Sequence, residues 1–416
     1  MQQIPHDGVL DSSLAMLADP YRFISRRCAR LGSDLFRTRL LLKSNICMMG
    51  RDAAELFYDE ERFQRKGAGL RRIEVTLLGQ GGVQGLDGAA HRHRKQMFTS
   101  LTPADEAVRL AAISAQHWAA RARGWAARDS VVIYDEARDV LCRSVCEWAG
   151  VPVEDAEIGP LARDLAAMYE HVDSLGPQHL WARWVRKKRD QWAARLIVAV
   201  RAGRLPAAEG SVLAAVATHR DLDGQLLEPR VAGVELLNLL RPTVAVSVFI
   251  TFAALALVEH AECRERIVSG GGDYGEMFAQ EVRRFYPFFP AVAALVRRDF
   301  EWRGYQFPRG MRVILGLYAT NHDERLWASP EEFRPERFRD WGGDLFRFIP
   351  QGGGDREVHH RCPGDRISVE LVKAAVAFLC GGLQYEVPEQ DLRLKFTDLP
   401  AMPRSRVVIR NVRSKA

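Results

Sequence analysis

Residues 348–365 read FIPQGGGDREVHHRCPGD, a glycine-rich stretch that delivers one cysteine, Cys362, to the start of an apolar-periodic segment. Pro363 suits the first position of a helix, and a helix N-terminus favours a negatively charged thiolate. Three consecutive glycines let the backbone approach a bulky group closely and direct N–H groups at the sulfur. Taken alone, the stretch predicts either a ligand thiolate or a buried structural cysteine beside a flexible loop.

Length and composition are those of an ordinary globular protein. The 416 residues are 47% hydrophobic, and no linker-like tract divides them, which predicts one domain over residues 1–416. The longest mainly apolar run, residues 244–258, is too short for a membrane span. The first residues lack a signal-peptide pattern, so a cytoplasmic location is the default expectation. Seven scattered cysteines predict reduced thiols.

The net charge of +6 is modest and by itself predicts neither a nucleic-acid nor a membrane partner. The densest basic cluster is interleaved with tryptophans and comprises Arg183, Arg186, Lys187, Lys188 and Arg189. Such a cluster can be a nucleic-acid patch or the solvated basic face of an amphipathic helix. We favour the helix face and expect no nucleic-acid partner.

Hydrophobic periodicity predicts a mainly α fold with a small β-rich part. In chain order the predicted elements are a helix over residues 21–31, strands at 36–41 and 45–49, a helix from Arg51, a mostly helical middle over 105–259, and strands at 294–297, 301–305 and 312–317. The middle third contains few strand signals, so the helices form the body of the predicted fold.

Two further motifs narrow the interpretation of the cysteine loop. Glu281 and Arg284 lie three apart on a predicted helix, and Arg337 follows in the stretch FRPERF. An acid and an arginine at that spacing are commonly a surface helix pair. In this order and spacing, however, the motifs and the cysteine loop resemble the cytochrome P450 superfamily over essentially the whole chain. The resemblance implies a cytochrome P450 fold, a buried triad of Glu281, Arg284 and Arg337, and haem b with Cys362 as the axial iron ligand.

The cysteine loop is longer than is usual in that superfamily. Extra residues stand between Gly354 and His360, and His360 lies two positions before the cysteine. The longer loop resembles that of the bacterial fatty-acid peroxygenases, which hydroxylate the alpha or beta carbon or decarboxylate their substrate to a terminal alkene. The resemblance places His360 and Arg361 among the haem-binding residues.

The central helix departs from the usual pattern as well. Ordinary oxygen-using members carry an acid followed by an alcohol there, whereas this chain has Arg241 and Pro242. From the residues alone, Arg-Pro indicates a helix boundary, and Asn238 is an ordinary polar residue. If the helix instead continues through the proline, the guanidinium lies in an apolar setting, where an unpaired charge costs roughly 3–5 kcal/mol. In that case Arg241 requires an anion.

A fatty-acid carboxylate supplies such an anion, and bidentate pairing would fix its geometry as well as its charge. Since the chain lacks its own acid near the iron, the substrate carboxylate would act as general acid-base toward hydrogen peroxide. Holding the carboxylate there would bring the alpha and beta carbons within reach. We therefore predict a peroxygenase whose partners are a fatty acid and hydrogen peroxide, with no redox-partner protein.

A segment from residue 76 to residue 95 resembles the part of the peroxygenases that approaches the haem. Gln84 matches a position that is glutamine in hydroxylating members and histidine in a decarboxylating one, so it favours hydroxylation. Leu78 stands where some members have phenylalanine, and Phe289 matches the stretch that lines the substrate pocket. Arg241, Pro242 and Gln84 are the predicted catalytic residues.

Four basic residues are candidates for the haem propionates. His91 and Lys95 lie four apart and match propionate-binding positions, and Arg65 and Lys66 are similar candidates. From the residues alone, His91 and Lys95 are a solvated basic helix face.

Two rival functions remain open at this point. One is a conventional monooxygenase that receives electrons from a reductase, against which the Arg241-Pro242 pair argues. The other is a haem protein that binds gas or lipid and signals without turnover. Consumption of peroxide that depends on substrate would separate the three.

Overall fold

The computed structural model describes residues 3–172, 176–269 and 271–415. Helices form most of the body, as the periodicity predicts. Within the described residues the α-helices are α1 (Ser13–Ala18), α2 (Phe23–Leu31), α3 (Arg51–Phe57), α4 (Arg71–Ile73), α5 (Gly88–Leu101), α6 (Ala104–Ala122), α7 (Ile133–Ala149), α8 (Asp155–Glu170), α9 (Pro177–Arg201), α10 (Val212–Thr218), α11 (Pro229–Glu259), α12 (Glu262–Ser269), α13 (Gly271–Phe285), α14 (Leu317–Asn321) and α15 (Asp365–Ala377).

Short segments of tighter or wider helix supplement these. The 3₁₀ turns are Val83–Gly85, Trp125–Ala127 and Pro335–Phe338, and the π-helical turns are Glu74–Leu78 and Phe378–Gly382. The first π turn directly continues α4 and ends one residue before Gly79.

The strands are short and lie mainly in the first 64 residues and after residue 290. They are β1 (Leu35–Leu40), β2 (Lys43–Met48), β3 (Phe63–Gln64), β4 (Val131–Val132), β5 (Ala291–Val296), β6 (Phe300–Trp302), β7 (Tyr305–Phe307), β8 (Arg312–Gly316), β9 (Leu383–Glu386) and β10 (Val408–Ser414). A five-stranded sheet has the order β1-β2-β8-β5-β3, in which β2 and β8 are parallel. A three-stranded sheet (β4-β10-β9) and the β6-β7 hairpin complete the β part.

Most predicted boundaries hold to within a few residues, and three differ for local reasons. The first helix begins at Phe23 and not at Tyr21, whose hydroxyl donates to the carbonyl of Phe288 at 3.1 Å. The predicted strand over residues 301–305 is a hairpin, because Arg303 and Gly304 take positive φ and reverse the chain. The strand predicted at 294–297 begins earlier, at Ala291.

Helix α11 is the centre of the helical core. It packs against α7, α9 and α15, and 25 of its 31 residues are buried. Gly233 permits α11 to approach α9 closely, since a Cβ at residue 233 would lie 2.7 Å from the backbone nitrogen of Ala194 on α9. By length and composition α11 could cross a membrane, but 83% of its most apolar window is buried inside the protein, which is the setting of a core helix.

The helix continues through Pro242, so the boundary interpretation of Arg241-Pro242 is wrong. A proline inside a helix removes one hydrogen bond and costs about 3 kcal/mol. Burial of the apolar residues on both sides offsets that cost, because each fully buried aliphatic side chain contributes roughly 1.5–3 kcal/mol.

Candidate functional site

The cysteine loop holds Cys362 with its backbone. The amide of Cys362 donates to the carbonyl of Gln351 at 3.0 Å. Gly352 and Gly354 both have positive φ, a conformation that explains two of the three consecutive glycines. Cys362 is half-buried, whereas the other six cysteines are buried. The loop therefore holds this one cysteine less deeply than the others.

Several donors surround the sulfur. The Gln351 side-chain amide donates to Sγ at 3.8 Å, and Arg283 in turn donates to Gln351 at 3.0 Å. Burial raises the pKa of the Cys362 thiol, with Asp365 acting in the same direction, while the Gly364 N–H, Lys95 and Arg283 lower that pKa. The net shift is upward, and the Gly364 N–H, Lys95 and Arg283 are the groups that favour the thiolate form, which a metal ligand requires.

Helix α15 begins later than predicted. Pro363 is not its first residue, because the helix begins at Asp365 with Gly364 as its N-cap. The carbonyl of Pro363 instead accepts from the guanidinium of Arg356 at 2.8 Å. The two residues before the helix are thus used for a turn that points the Gly364 N–H at the sulfur.

The predicted acid and arginines meet in a buried cluster behind the loop. Arg284 donates to both oxygens of Glu281 at 2.8 Å, and Arg337 donates to the same carboxylate at 3.0 Å. Glu281 and Arg284 are completely buried. Arg284 also donates to the carbonyl of Asn321, and Arg337 to that of Ala328. The arrangement ties α13 to the chain segment around residues 328–337.

On α11, Arg241 lies in the interior with no ion pair or hydrogen bond to any described residue. Its residue is 5% exposed, and its buried Nη1 has no partner. Burial, followed by the charge of Arg186, lowers the pKa of Arg241 to about 9, while Asp190 and Cys362 oppose that shift. At neutral pH the guanidinium therefore stays charged, and a desolvated cation without a counter-ion is costly.

One turn earlier on the same helix, Asn238 links Gln84 to a buried acid. Its amide donates to Gln84 Oε1 at 3.2 Å and to Glu235 Oε2 at 3.0 Å, while its own Oδ1 has no partner. Glu235 is fully buried and pairs with Arg94 at 2.8 Å. Burial raises the pKa of Glu235, and hydrogen bonds from Asn238 and the charge of Arg94 oppose the rise.

Sequence reasoning missed this chain of contacts. It treated Asn238 as an ordinary polar residue and did not single out Glu235 or Arg94. Because Asn238 and Arg241 lie three apart on a helix, a signal was present in their spacing. The link to Arg94 joins residues 141 positions apart and could not be read from local pattern.

The basic cluster on α9 is only partly solvated, which corrects the predicted basic face. Arg186 is 2% exposed, donates to the carbonyl of Leu77 at 2.9 Å and pairs with Asp190 at 2.8 Å. Arg189 is also buried and pairs with Asp164. The arginines face inward because each pairs with an acid that is itself buried or half-buried, Asp164 for Arg189 and Asp190 for Arg186. Gly79 leaves space for the guanidinium of Arg186, since a Cβ at residue 79 would lie 1.9 Å from Arg186 Nη2.

Three of the four candidate propionate ligands are buried or half-buried near the cysteine loop. The ring of His91 stacks on that of His360 with centroids 3.7 Å apart, and its buried Nδ1 has no hydrogen-bond partner. Lys95 donates to the carbonyls of His359 and Arg361. Arg65 lies over Phe57 at 4.2 Å. The structure does not bring the exposed Lys66 into this group.

Burial keeps much of this basic group weakly protonated. Burial and then Lys95 lower the pKa of His91 to about 3, and burial lowers the pKa of Lys95 to about 8. Burial and Arg65 hold the pKa of His360 well below its usual range. An anion placed here would raise all three values.

The other candidates lie at the edges of the site. Arg361 pairs with Asp365 at 2.7 Å, next to the start of α15. Leu78 is half-buried and packs against the helical core. Phe289 is half-buried between the helical core and the five-stranded sheet, with its ring 4.6 Å from that of Phe288.

These residues fit a haem group. A cysteine just before a helix start suits the thiolate ligand that an iron porphyrin of this kind takes, and buried basic side chains with an orphaned imidazole nitrogen suit its two carboxylates. Fold and site together define a haem-thiolate protein.

Comparisons with known proteins identify the family. The cytochrome P450 family profile matches residues 273–403. Cytochrome P450 71D18 of Mentha gracilis is 33% identical over 129 residues, but the match covers only 30% of this chain and 25% of that protein. Full-length similarity is found among solved structures, and the chain belongs to the cytochrome P450 family, whose cofactor is haem b.

Three of these structures are informative. An L78F mutant of cytochrome P450SP alpha (CYP152B1) is 51% identical, with a TM-score of 0.95 and coverage of 97% of this chain and 99% of that one. Cytochrome P450EX alpha (CYP152N1), solved with myristic acid, is 40% identical with a TM-score of 0.96 and full coverage of both chains. Ligand-free cytochrome P450 OleT is 33% identical, with a TM-score of 0.96 and 99% coverage of each chain.

Proposed function

We propose that the protein is a haem-thiolate peroxygenase that uses hydrogen peroxide to hydroxylate the alpha or beta carbon of a long-chain fatty acid. The observation that carries this proposal is the buried, unpartnered guanidinium of Arg241. A carboxylate supplies both the missing charge and two acceptor oxygens for the fork of N–H groups. A fatty acid adds an alkyl chain for the apolar surroundings.

The ligands of two similar proteins support a carboxylic acid as the substrate. Cytochrome P450EX alpha was solved with myristic acid, and cytochrome P450SP alpha was solved with (R)-ibuprophen. Both ligands are carboxylic acids with apolar bodies. A substrate of the same class would satisfy Arg241 here.

The substrate carboxylate would also perform acid-base work. Two carboxylates of the chain, the buried Glu235 and the half-buried Asp190, are already paired with Arg94 and Arg186. Because each is held in an ion pair, neither is a free acceptor. The carboxylate held by Arg241 is therefore the group that takes and returns a proton of hydrogen peroxide.

The haem, when bound, supplies the chemistry that transfers an oxygen atom from peroxide to carbon. Cys362 would supply its thiolate ligand. The basic residues that would hold its propionates are Arg65, His91, Lys95, His360 and Arg361.

On the substrate side, Pro242 lacks the N–H that would bond to the carbonyl of Asn238. This local break in the helix ladder would set the direction of Arg241. Gln84, held by Asn238, would lie beside the carboxylate, while Leu78 and Phe289 would line the pocket. Anchoring the carboxylate places the alpha and beta carbons nearest the reacting oxygen.

The test is an incubation of the purified, haem-loaded protein with myristic acid and hydrogen peroxide in the absence of any reductase. Mass spectrometry should detect alpha- or beta-hydroxylated acid. Methyl myristate, which has the same chain but no carboxylate, should give almost no product. Arg241→Ala should lower kcat/KM for the acid by roughly a hundredfold, corresponding to about 3 kcal/mol.

Each contrary result identifies a different function. Turnover only with a reductase system would contradict the proposal in favour of a conventional monooxygenase. Binding of the acid without turnover in either system would favour a sensor. Equal turnover of acid and ester would remove the proposed role of Arg241.

A further inference from the structure

The turn between β1 and β2 is built from two leucines in a conformation that leucine avoids. Leu40 pairs with Lys43, so Leu41 and Leu42 alone form the turn, with φ of +52° and +62°. A two-residue turn with both φ positive is the type that asparagine and glycine favour. For a branched residue with a Cβ, the left-handed conformation is sterically costly.

The same two side chains are also poorly placed for solvent. Leu41 is 65% exposed and Leu42 is 72% exposed. Neither contributes to the hydrophobic clusters of the described residues. The two leucines therefore adopt an unfavourable backbone conformation and also expose apolar side chains, and no contact within the described part of the fold compensates for either cost. Natural proteins keep such conflicts mainly at functional positions.

Three further exposed leucines lie beside the turn. The amide of Leu41 donates to Ser13 Oγ at 2.7 Å and that of Leu42 to Asp11 Oδ2 at 2.6 Å, which docks the turn on the start of α1. The leucines of this region, here called the leucine surface, are Leu10, Leu14, Leu17, Leu41 and Leu42, and they are 53–81% exposed. They are half of the ten exposed leucines in the described parts of the chain.

The charges around the leucine surface are basic. Arg39 and Lys43 flank the turn, are exposed and make no ion pair with any described residue. Of the nearby acids, Asp19 pairs with Arg22 at 2.9 Å, whereas Asp11 accepts backbone N–H groups and keeps its negative charge, so two free cations face one free carboxylate. Protruding apolar side chains flanked by free cations are the pattern of a protein that binds an anionic lipid surface.

We propose that the leucine surface inserts into the surface of an anionic lipid bilayer. Side chains on a turn tip and on the outer face of a short helix stand out from the protein, so they enter a fluid layer more readily than they fill a rigid pocket. Free cations at the same level would contact lipid phosphates. This attachment is peripheral, since the one helix among the described residues that could span a membrane forms the protein core.

The inference does not depend on the proposed reaction. If the substrate is a long-chain fatty acid, as proposed above, the attachment would place the enzyme where that acid is concentrated. Vesicle binding is measured without peroxide or turnover, so its failure leaves the proposed activity unaffected.

The experiment measures co-sedimentation of the haem-loaded protein with vesicles of phosphatidylcholine containing phosphatidylglycerol, and with vesicles of phosphatidylcholine alone. The parent protein should bind the anionic vesicles, and more weakly as salt increases. The double variant Leu41→Asn/Leu42→Gly should bind at least tenfold more weakly. Its thermal midpoint should be equal or higher, because the new pair suits the turn.

Two controls make the assignment specific. Trp184→Ser removes another exposed side chain, 59% exposed on α9 beside Lys188, and should leave binding unchanged. Arg39→Gln and Lys43→Gln should each weaken binding to anionic vesicles about fivefold. Absence of parent binding, unchanged binding of the double variant, or loss of binding in Trp184→Ser would each overturn the proposal.

Discussion

Two buried arginines in this protein have opposite surroundings. Arg284 on α13 is completely buried and donates to both oxygens of Glu281 as well as to the carbonyls of Asn321 and Glu332. Arg241 on α11 is 5% exposed and has no partner among the described residues. The first arginine is satisfied by the fold itself, whereas under the proposed function the second is satisfied by the substrate carboxylate. The contrast therefore separates a structural charge from a proposed binding group.

The strongest test of this contrast removes the satisfied arginine. Arg284→Met leaves Glu281 buried without its main partner, and we expect the free energy of unfolding to fall by roughly 3–5 kcal/mol. Chemical denaturation of the purified protein measures this change. Arg334→Met is the matched control, because that side chain is exposed and should change stability by less than about 0.5 kcal/mol. A loss as small as the control's would mean that the cluster is not structural.

Removal of the unsatisfied arginine should have the opposite sign. Arg241→Met replaces an unpaired buried cation by an apolar side chain of similar length, and we expect substrate-free protein to gain about 1–3 kcal/mol. Myristic acid should stabilise the parent, by about 2.7 kcal/mol at a hundredfold excess over Kd, and the variant much less.

Arg230→Met, at an exposed position of the same helix, is the control for that experiment. It should change neither stability nor the effect of myristic acid. If Arg241→Met destabilises the substrate-free protein as Arg284→Met does, Arg241 has a permanent partner and the contrast fails.

A smaller effect is expected at Asn238, which is also only partly satisfied. Asn238→Ala should lower kcat for peroxide-driven hydroxylation roughly fivefold, the equivalent of one hydrogen bond of about 1 kcal/mol to Gln84. KM for the fatty acid should stay within twofold. If the two side chains act as a unit, combining this change with Gln84→Ala should cost no more than the worse single change. Additive losses would contradict that coupling.

The smallest expected effect is a dependence of stability on pH that arises from His322, a residue near Arg284. Burial, followed by the charge of Arg284, lowers the pKa of His322 to about 3. The unfolded chain therefore binds a proton near pH 6.5 while the folded protein does not, so stability present above pH 6.5 is lost as the pH falls toward 3. At pH 5.5 this amounts to about 1 kcal/mol.

Unfolding of the parent and of His322→Phe, compared at pH 7.5 and 5.5, measures this contribution. The variant should lose about 1 kcal/mol less than the parent between the two values. Parallel losses would show that other groups account for the acid sensitivity.

Much of the fold could be predicted because its signals are local. The helical middle, the early strands and the late strands follow from periodicity and from turn residues. The resemblance to cytochromes P450 rests on three motifs in a fixed order, and the family is confirmed by full-length structural similarity. The prediction of one domain, the cytoplasmic location and the roles of the individual site residues stay predictions.

Other features depend on contacts between distant parts of the chain. Arg186 and Arg189 lie in a sequence pattern typical of a solvated face, yet they are buried because each pairs with an acid on the inner side, Asp190 and Asp164. The position of Gln84 depends on Asn238, more than 150 residues later. The pattern of charges in the sequence alone does not show which basic side chains will pair with an acid in the interior.

By itself, the sequence determined the cysteine loop, the acid and arginine motifs, and the helical character of the chain, because each is encoded within a few neighbouring residues. Only the tertiary structure decided the environment of Arg241. Local rules favour a helix end at Pro242, but the burial of α11 along nearly its whole length outweighs the cost of one proline. The helix therefore continues through Pro242, and Arg241 becomes a charged residue inside the core.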